Sequence, residues 1–223
     1  MSRLLWLIGV LAALAAGGQA VVPPLVDQAL ARSITPLTGP ASVNQVQVTA
    51  VPFWTLAAGR FQDLTVTGRG WQAGPLKLSS VGVDWQDGAV NVADLLRRRQ
   101  LVPSSEGHMR VRIAVDGPAL AHLLEKSGRV TDVVVNVRRD YVELSGTVRL
   151  NGLSGRVTAE GTLDVSPNKR QILFHPTQVD GVGLPFRTSL PIFSLDQVEL
   201  PVTLELTSVR LSPPDVVVEA ATP

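Results

Sequence analysis

Acid–base and metal chemistry at neutral pH fall most often to histidine, and this 223-residue chain has three: His108, His122 and His175. His108 follows Gly107 in a loop, His122 lies on the polar side of a predicted helix, and His175 abuts Pro176 at a strand end. No H-E-x-x-H or related spacing links them, so each reads as a solvated or structural side chain. Serine offers no better foothold. Gly152-Leu153-Ser154-Gly155 is not G-x-S-x-G, and it falls in a predicted hairpin loop rather than at a strand-to-helix elbow. Gly68-Arg69-Gly70 and Gly181-Val182-Gly183 lack the third glycine and the following helix of a dinucleotide site. The acids are scattered, with no pair set apart as general acid and base. Cysteine is absent, which removes thiolate nucleophiles, thiolate-held metals, disulfides and a lipid-modified cysteine anchor. A hydrolase is therefore the weakest reading, and no cofactor or metal is expected.

Charge and aromatic placement suggest contact rather than catalysis. Arg97-Arg98-Arg99 is the one basic run. Against anionic headgroups each such charge contributes about 1 kcal/mol; the competing reading is the solvated end of a helix, favoured by the helix dipole. Phe53 and Trp54, directly after Pro52, have the character of interfacial side chains, with core packing as the alternative. Lys+Arg 20 against Asp+Glu 19 leaves no bulk basic field, so nucleic acid is not an expected partner.

The elements that must position these residues are mostly strands. Hydrophobic residues make up 45% of the chain and aromatics only 4%, so the apolar surface is Val, Leu and Ala. Apolar residues alternate with polar ones through 131–174, predicting a four-stranded antiparallel meander with one dry face. A turn at Arg139-Asp140 sets Val137 opposite Val142 and Val135 opposite Leu144. A turn over 151–154 sets Val148 opposite Val157, and one at Asn168-Lys169 sets Leu163 opposite Phe174 and Val165 opposite Ile172. Upstream, strands are predicted over 43–51, 61–68 and 74–85. A change of phase at Ser79-Ser80 reads as a β-bulge, and Asp87-Gly88 reads as a hairpin setting Trp85 opposite Val90 and Val83 opposite Val92. Residues 93–100 suggest a short helix or turn, 109–115 a strand and 179–191 a loop. Residues 197–211 read as a strand with a bulge at Thr207-Ser208, turned back at Pro213-Pro214 so that Leu211 meets Val216 and Val209 meets Val218.

Two helices are expected. Residues 24–34 carry an amphipathic pattern behind Pro24. Residues 116–126 are the stronger case, with Asp116 as N-cap, Pro118 in the first turn, and Leu120, Leu123 and Leu124 on one stripe. Ahead of both, Arg3, an apolar run over 4–16 and the small residues of Gly17-Gly18-Gln19-Ala20 have the form of a signal peptide over 1–20, cleaved or retained as an anchor. Export without cysteine or a glycosylation sequon suits a bacterial envelope protein: the outer face of the cytoplasmic membrane, the periplasm or the cell wall. Residues 21–223 contain no linker polar enough to divide them, so a single domain is expected. The predicted fold class is α+β, β-dominated: a long, strongly curved antiparallel sheet wrapped around one or two amphipathic helices.

The order of motifs resembles the LmeA-like phospholipid-binding family. The residues that carry the resemblance begin with 59–66 (GRFQDLTV), Asp87-Gly88 and Asp94-Leu95-Leu96. They continue through Val115-Asp116 opening 119–124, then 172–176 with Leu184-Pro185, and end in Leu200-Pro201-Val202, Val209-Arg210-Leu211 and Val216-Val217-Val218. The resemblance implies an exported, non-enzymatic protein that binds phospholipid in the envelope. Amphipathicity then nominates Leu120, Leu123, Leu124, Val135, Val137, Leu144, Val148, Leu163 and Phe174 as acyl-chain contacts. Phe53, Trp54, Arg97, Arg98 and Arg99 are the candidates for headgroup or membrane-surface contact. One ~16-carbon chain buried there gains on the order of 12 kcal/mol gross. The alternative is a self-packed structural or interaction module with no lipid.

Overall fold

A computed structural model describes residues 43–50, 52–73, 76–91, 103–105, 107–126, 130–150, 153–181, 189–197 and 202–223. The first half contains β1 (Val43–Thr49), a 3-10 helix (Phe53–Ala58), β2 (Asp63–Ala73), β3 (Leu76–Gln86), β4 (Ala89–Val90), β5 (Pro103–Ser105) and β6 (His108–Asp116). Helix α1 (Gly117–Glu125) follows, then β7 (Val130–Val137), β8 (Val142–Leu150), β9 (Leu153–Val165) and β10 (Gln171–Gly181). The chain ends with β11 (Leu190–Ser194), a 3-10 turn (Leu195–Gln197), β12 (Glu205–Ser212) and β13 (Asp215–Ala221). The predicted helix over 24–34, the short helix or turn over 93–100 and the segment 1–20 lie outside the described residues.

The fold is a β-dominated α+β arrangement of strongly curled antiparallel sheet. A six-stranded sheet runs β1-β2-β3-β6-β13-β12, a five-stranded sheet runs β11-β10-β9-β8-β7, and β4 and β5 form a small ribbon. Period two does what it should: Val46, Val48 and Ala50 are buried while Gln45, Gln47 and Thr49 are exposed. The same alternation buries Val216, Val218 and Ala220 on β13.

Helix α1 joins the two sheets. β6 ends at Asp116, whose extended backbone (φ −79°, ψ 165°) lets its carboxylate accept the Ala119 N–H at 2.9 Å. Such a cap is worth about 1 kcal/mol. The helix then packs on β3 and β6 of one sheet and on β7 of the other. At Gly117 it touches the β7 backbone: a Cβ there would sit 2.2 Å from the Val135 carbonyl oxygen, so only glycine permits the approach. At its far end Glu125 Oε1 accepts the Val133 N–H at 2.9 Å. That N–H is turned out by a shift of register between Thr131 and Val134. The helix thereby covers the outer edge of β7, an edge that would otherwise invite pairing with another strand.

On the opposite flank the two sheets are joined by the turn between β9 and β10. Leu206 N–H donates to the Lys169 carbonyl at 2.8 Å, and Leu195 N–H donates to the Arg170 carbonyl at 2.9 Å. Lys169 Nζ pairs with Glu205 at 2.8 Å, and Arg170 pairs with Asp196.

The four-stranded meander β7 to β10 forms as expected, with Val137 opposite Val142, Val135 opposite Leu144, and Leu163 opposite Phe174. The bulge at Thr207-Ser208 is present, and Pro213-Pro214 sets Leu211 opposite Val216 and Val209 opposite Val218. Five expectations need correction. Val148 faces Gly155 rather than Val157, because the β8–β9 turn is tighter by one pair of residues. Asp87-Gly88 does not close a hairpin: Trp85 stands between Leu64 and Met109. Beyond it, Asp87 N–H donates to the Gln62 carbonyl and Val90 N–H to the Gly59 carbonyl, so the turn sends the chain across the foot of β2. At Ser79-Ser80 Leu78 and Val81 are both buried, yet the β2–β3 ladder holds one register. Gly70, opposite Ser79 and at φ 67°, lets β2 change face together with β3, and no residue is inserted. The stretch 179–191 is not all loop, since β10 reaches Gly181 and β11 begins at Leu190. Of the strand predicted over 197–211, Gln197 lies in a 3-10 turn and residues 202–204 are not strand, although Val202 and Leu204 are buried; β12 begins at Glu205.

Candidate functional site

Between α1 and the five-stranded sheet lies an apolar seam. Leu120 and Leu124 approach from the helix, Val135 from β7, Val142 and Leu144 from β8, Leu163 from β9, Phe174 from β10 and Ile192 from β11. It encloses a space of about 10 Å³. A second space of about 40 Å³ continues it toward the six-stranded sheet, adding Ile113, Val115, Leu123, Ile172, Phe193, Val216 and Val218. Leu120, Leu163 and Ile192 border both spaces. Every side chain around the seam is a hydrocarbon, so it has nothing with which to orient a polar group or move a proton. What it can do is receive aliphatic surface. Pockets that accommodate whole ligands run to roughly 300–1,000 Å³, so an acyl chain enters this seam only by spreading its walls.

Of the nine residues nominated as acyl contacts, Leu120, Leu123, Leu124, Val135, Leu144, Leu163 and Phe174 converge on the seam. Val137 is buried and borders a different space, an outer groove considered below. Val148 is half-buried and pairs with Val130 and Gly155 without bordering the seam. Trp54 is 57% exposed on the first 3-10 helix. Phe53 belongs to the same helix, and Arg97, Arg98 and Arg99 lie outside the described residues. The large-sheet wall of Ile113, Val115, Val216 and Val218 was not foreseen, nor were Ile192 and Phe193. Strand alternation marks each as dry but does not say which two dry faces meet.

The charged groups lie away from the seam. Arg170 beside Asp196 holds that carboxyl below its usual range, and Ser194 assists. Glu219, on the outer face of the large sheet, is lowered by hydrogen bonds from Arg112 and Ser208, with Arg210 adding its charge. His108 and His122 are exposed and His175 half-buried, each on a separate element. Among the described residues no three His, Asp or Glu side chains gather at metal-binding geometry.

Among curated proteins and among solved structures, nothing matches the chain. A family model does, over residues 17–221: LmeA-like phospholipid-binding. That span takes in both sheets, the helix between them and the whole of the seam. The chain belongs to the LmeA-like phospholipid-binding family.

Proposed function

We propose that this protein binds a phospholipid non-enzymatically and holds its acyl portion in the seam between α1 and the five-stranded sheet. The observation that carries the reading is the convergence of helix leucines and strand aliphatics on one wholly apolar space, in a chain of this family. The side chains that border both spaces are leucine and isoleucine, which change rotamer more cheaply than aromatic rings interlock anew. The apolar run over 4–16 supports export, which would place the protein at the outer face of the cytoplasmic membrane, where a lipid is within reach. Carriage of the lipid between membranes is part of the proposal.

The small size of the two spaces favours a second reading, a self-packed envelope module without a lipid. Native mass spectrometry of the protein purified from cells, followed by lipid extraction, separates the two. A bound phospholipid at one per chain, with uptake of a fluorescent phospholipid from vesicles, is the expected result. Finding neither would leave the self-packed module.

A further inference from the structure

The outer side of the α1–β7 contact carries an open groove of about 470 Å³. Its floor and walls are Pro118 and Ala121 of the helix, Val134 and Val137 of β7, and Pro214 from the turn between β12 and β13. Arg138 also lines it. Val134 is 47% exposed there, one of three large apolar side chains turned to solvent among the described residues. Among the described residues no carboxylate pairs with Arg138. Asp140, two positions along the same turn, forms no ion pair with it, and the acids adjoining Gly117 and Pro214 are engaged elsewhere, Asp116 on the Ala119 N–H and Asp215 on the Ser79 hydroxyl. Asn136, the other polar side chain along the groove, donates to Glu143.

We infer that this groove is the docking site through which a phospholipid reaches the seam, with its phosphate on Arg138 and its first acyl carbons along Val134, Val137 and Ala121. The inference rests on the phospholipid-binding reading above and adds where the headgroup sits. Three observations support it. A guanidinium with no carboxylate partner among the described residues, set beside the valines, alanine and prolines of the trough, matches a ligand with an anionic head and an aliphatic body, and arginine binds phosphate oxygens in pairs. The trough's volume lies within the range of ligand pockets, unlike that of the seam. Val135 borders both groove and seam, so one residue's thickness separates them. A peptide strand is the poorer occupant: the edge groups of β7 it would need are taken at Val133 N–H by Glu125 and crowded at the Val135 carbonyl by Gly117.

The test uses the full chain and vesicles of phosphatidylcholine with phosphatidylglycerol, one lipid carrying a fluorescent acyl chain. Arg138→Glu is expected to weaken phospholipid uptake at least about tenfold, the value of one charged hydrogen-bonded contact. It should leave uptake of diacylglycerol with the same label unchanged. Val134→Asp should reduce both. Arg139→Glu, on the neighbouring turn residue that does not border the groove, should match the wild type. Uptake by the wild type with Arg138→Glu equal to Arg139→Glu overturns the groove while leaving phospholipid binding intact. No uptake by the wild type overturns both. Millimolar inorganic phosphate that blocks uptake fully would assign Arg138 to free phosphate and overturn the lipid docking site.

Discussion

The two ends of the interior are built from different materials. At the foot of the large sheet Trp85, 1% exposed, meets Phe61 edge to face, with ring centroids 5.0 Å apart at 81°. Val46, Leu64 and Met109 belong to the same core. Around α1 the interior is instead aliphatic, apart from Phe174 and Phe193, and it keeps small spaces. Rings locked at right angles fix a geometry and lose contact sharply when displaced. Leucine, isoleucine and valine can be rearranged at modest cost so long as total volume is kept. The aromatic end is thus suited to hold the strands in place, and the aliphatic end to admit a guest.

That division predicts unequal responses. Trp85→Ala should destabilise the fold by about 3–5 kcal/mol, the usual cost of removing a buried aromatic, without raising lipid uptake per folded molecule. Urea unfolding with a lipid-uptake assay on the same sample checks it. An increase in uptake would break the distinction between the two ends. Leu163→Ala should cost less, about 2 kcal/mol, because the residue is half-buried. Leu163 borders both spaces, so its truncation joins them, and uptake should become faster despite the lower stability. Slower uptake would mean the seam is a core like any other.

The same contrast bears on what could be read without coordinates. The turns at Arg139-Asp140, Asn168-Lys169 and Pro213-Pro214 set their registers locally, so alternation on each side placed Val137, Leu163 and Val209 opposite the right partners. Asp87-Gly88 has an equally good local signal and fails, because Trp85 is claimed by Met109 on a strand that begins beyond the following segment. No local pattern announces that competition. Strand β11 escaped notice because it is short and contains Pro191, which confines it to a sheet edge. Half of the seam was legible, since helix periodicity and strand alternation both select its small-sheet lining. The other half required knowing that β6 and β13 lie side by side, although more than a hundred positions separate Arg112 from its partner Glu219. Arg138 was passed over for the opposite reason: in sequence it is one of several charges at a hairpin tip, and only the fold sets it in a groove with Val134, Ala121 and Pro214.

The smallest effect concerns acid. Asp196 and Glu219 are both held below their ordinary values of 3.8 and 4.5, chiefly by hydrogen bonds from Arg170 and Arg112. A carboxyl lowered in the folded state contributes stability that is present above its unfolded value and lost as pH falls through its folded value. Stability should therefore be level from about pH 7 down to about pH 5 and decline below about pH 4. The two groups differ in what they join. Glu219 bridges neighbouring strands of one sheet, whereas Asp196, through Arg170, ties the segment after β11 to the turn between β9 and β10. Both pairings lie at the surface, with exposed arginines around Glu219 and an exposed Asp196, so each contribution is small. Asp196→Asn and Glu219→Gln should each shrink the drop in Tm between about pH 7 and about pH 3, with little change at neutral pH. Only Asp196→Asn should also quicken lipid uptake at neutral pH, because β11 supplies Ile192 and Phe193 to the seam and Asp196 helps secure it. Equal uptake by the two variants would show that the seam admits its guest from the α1 side alone.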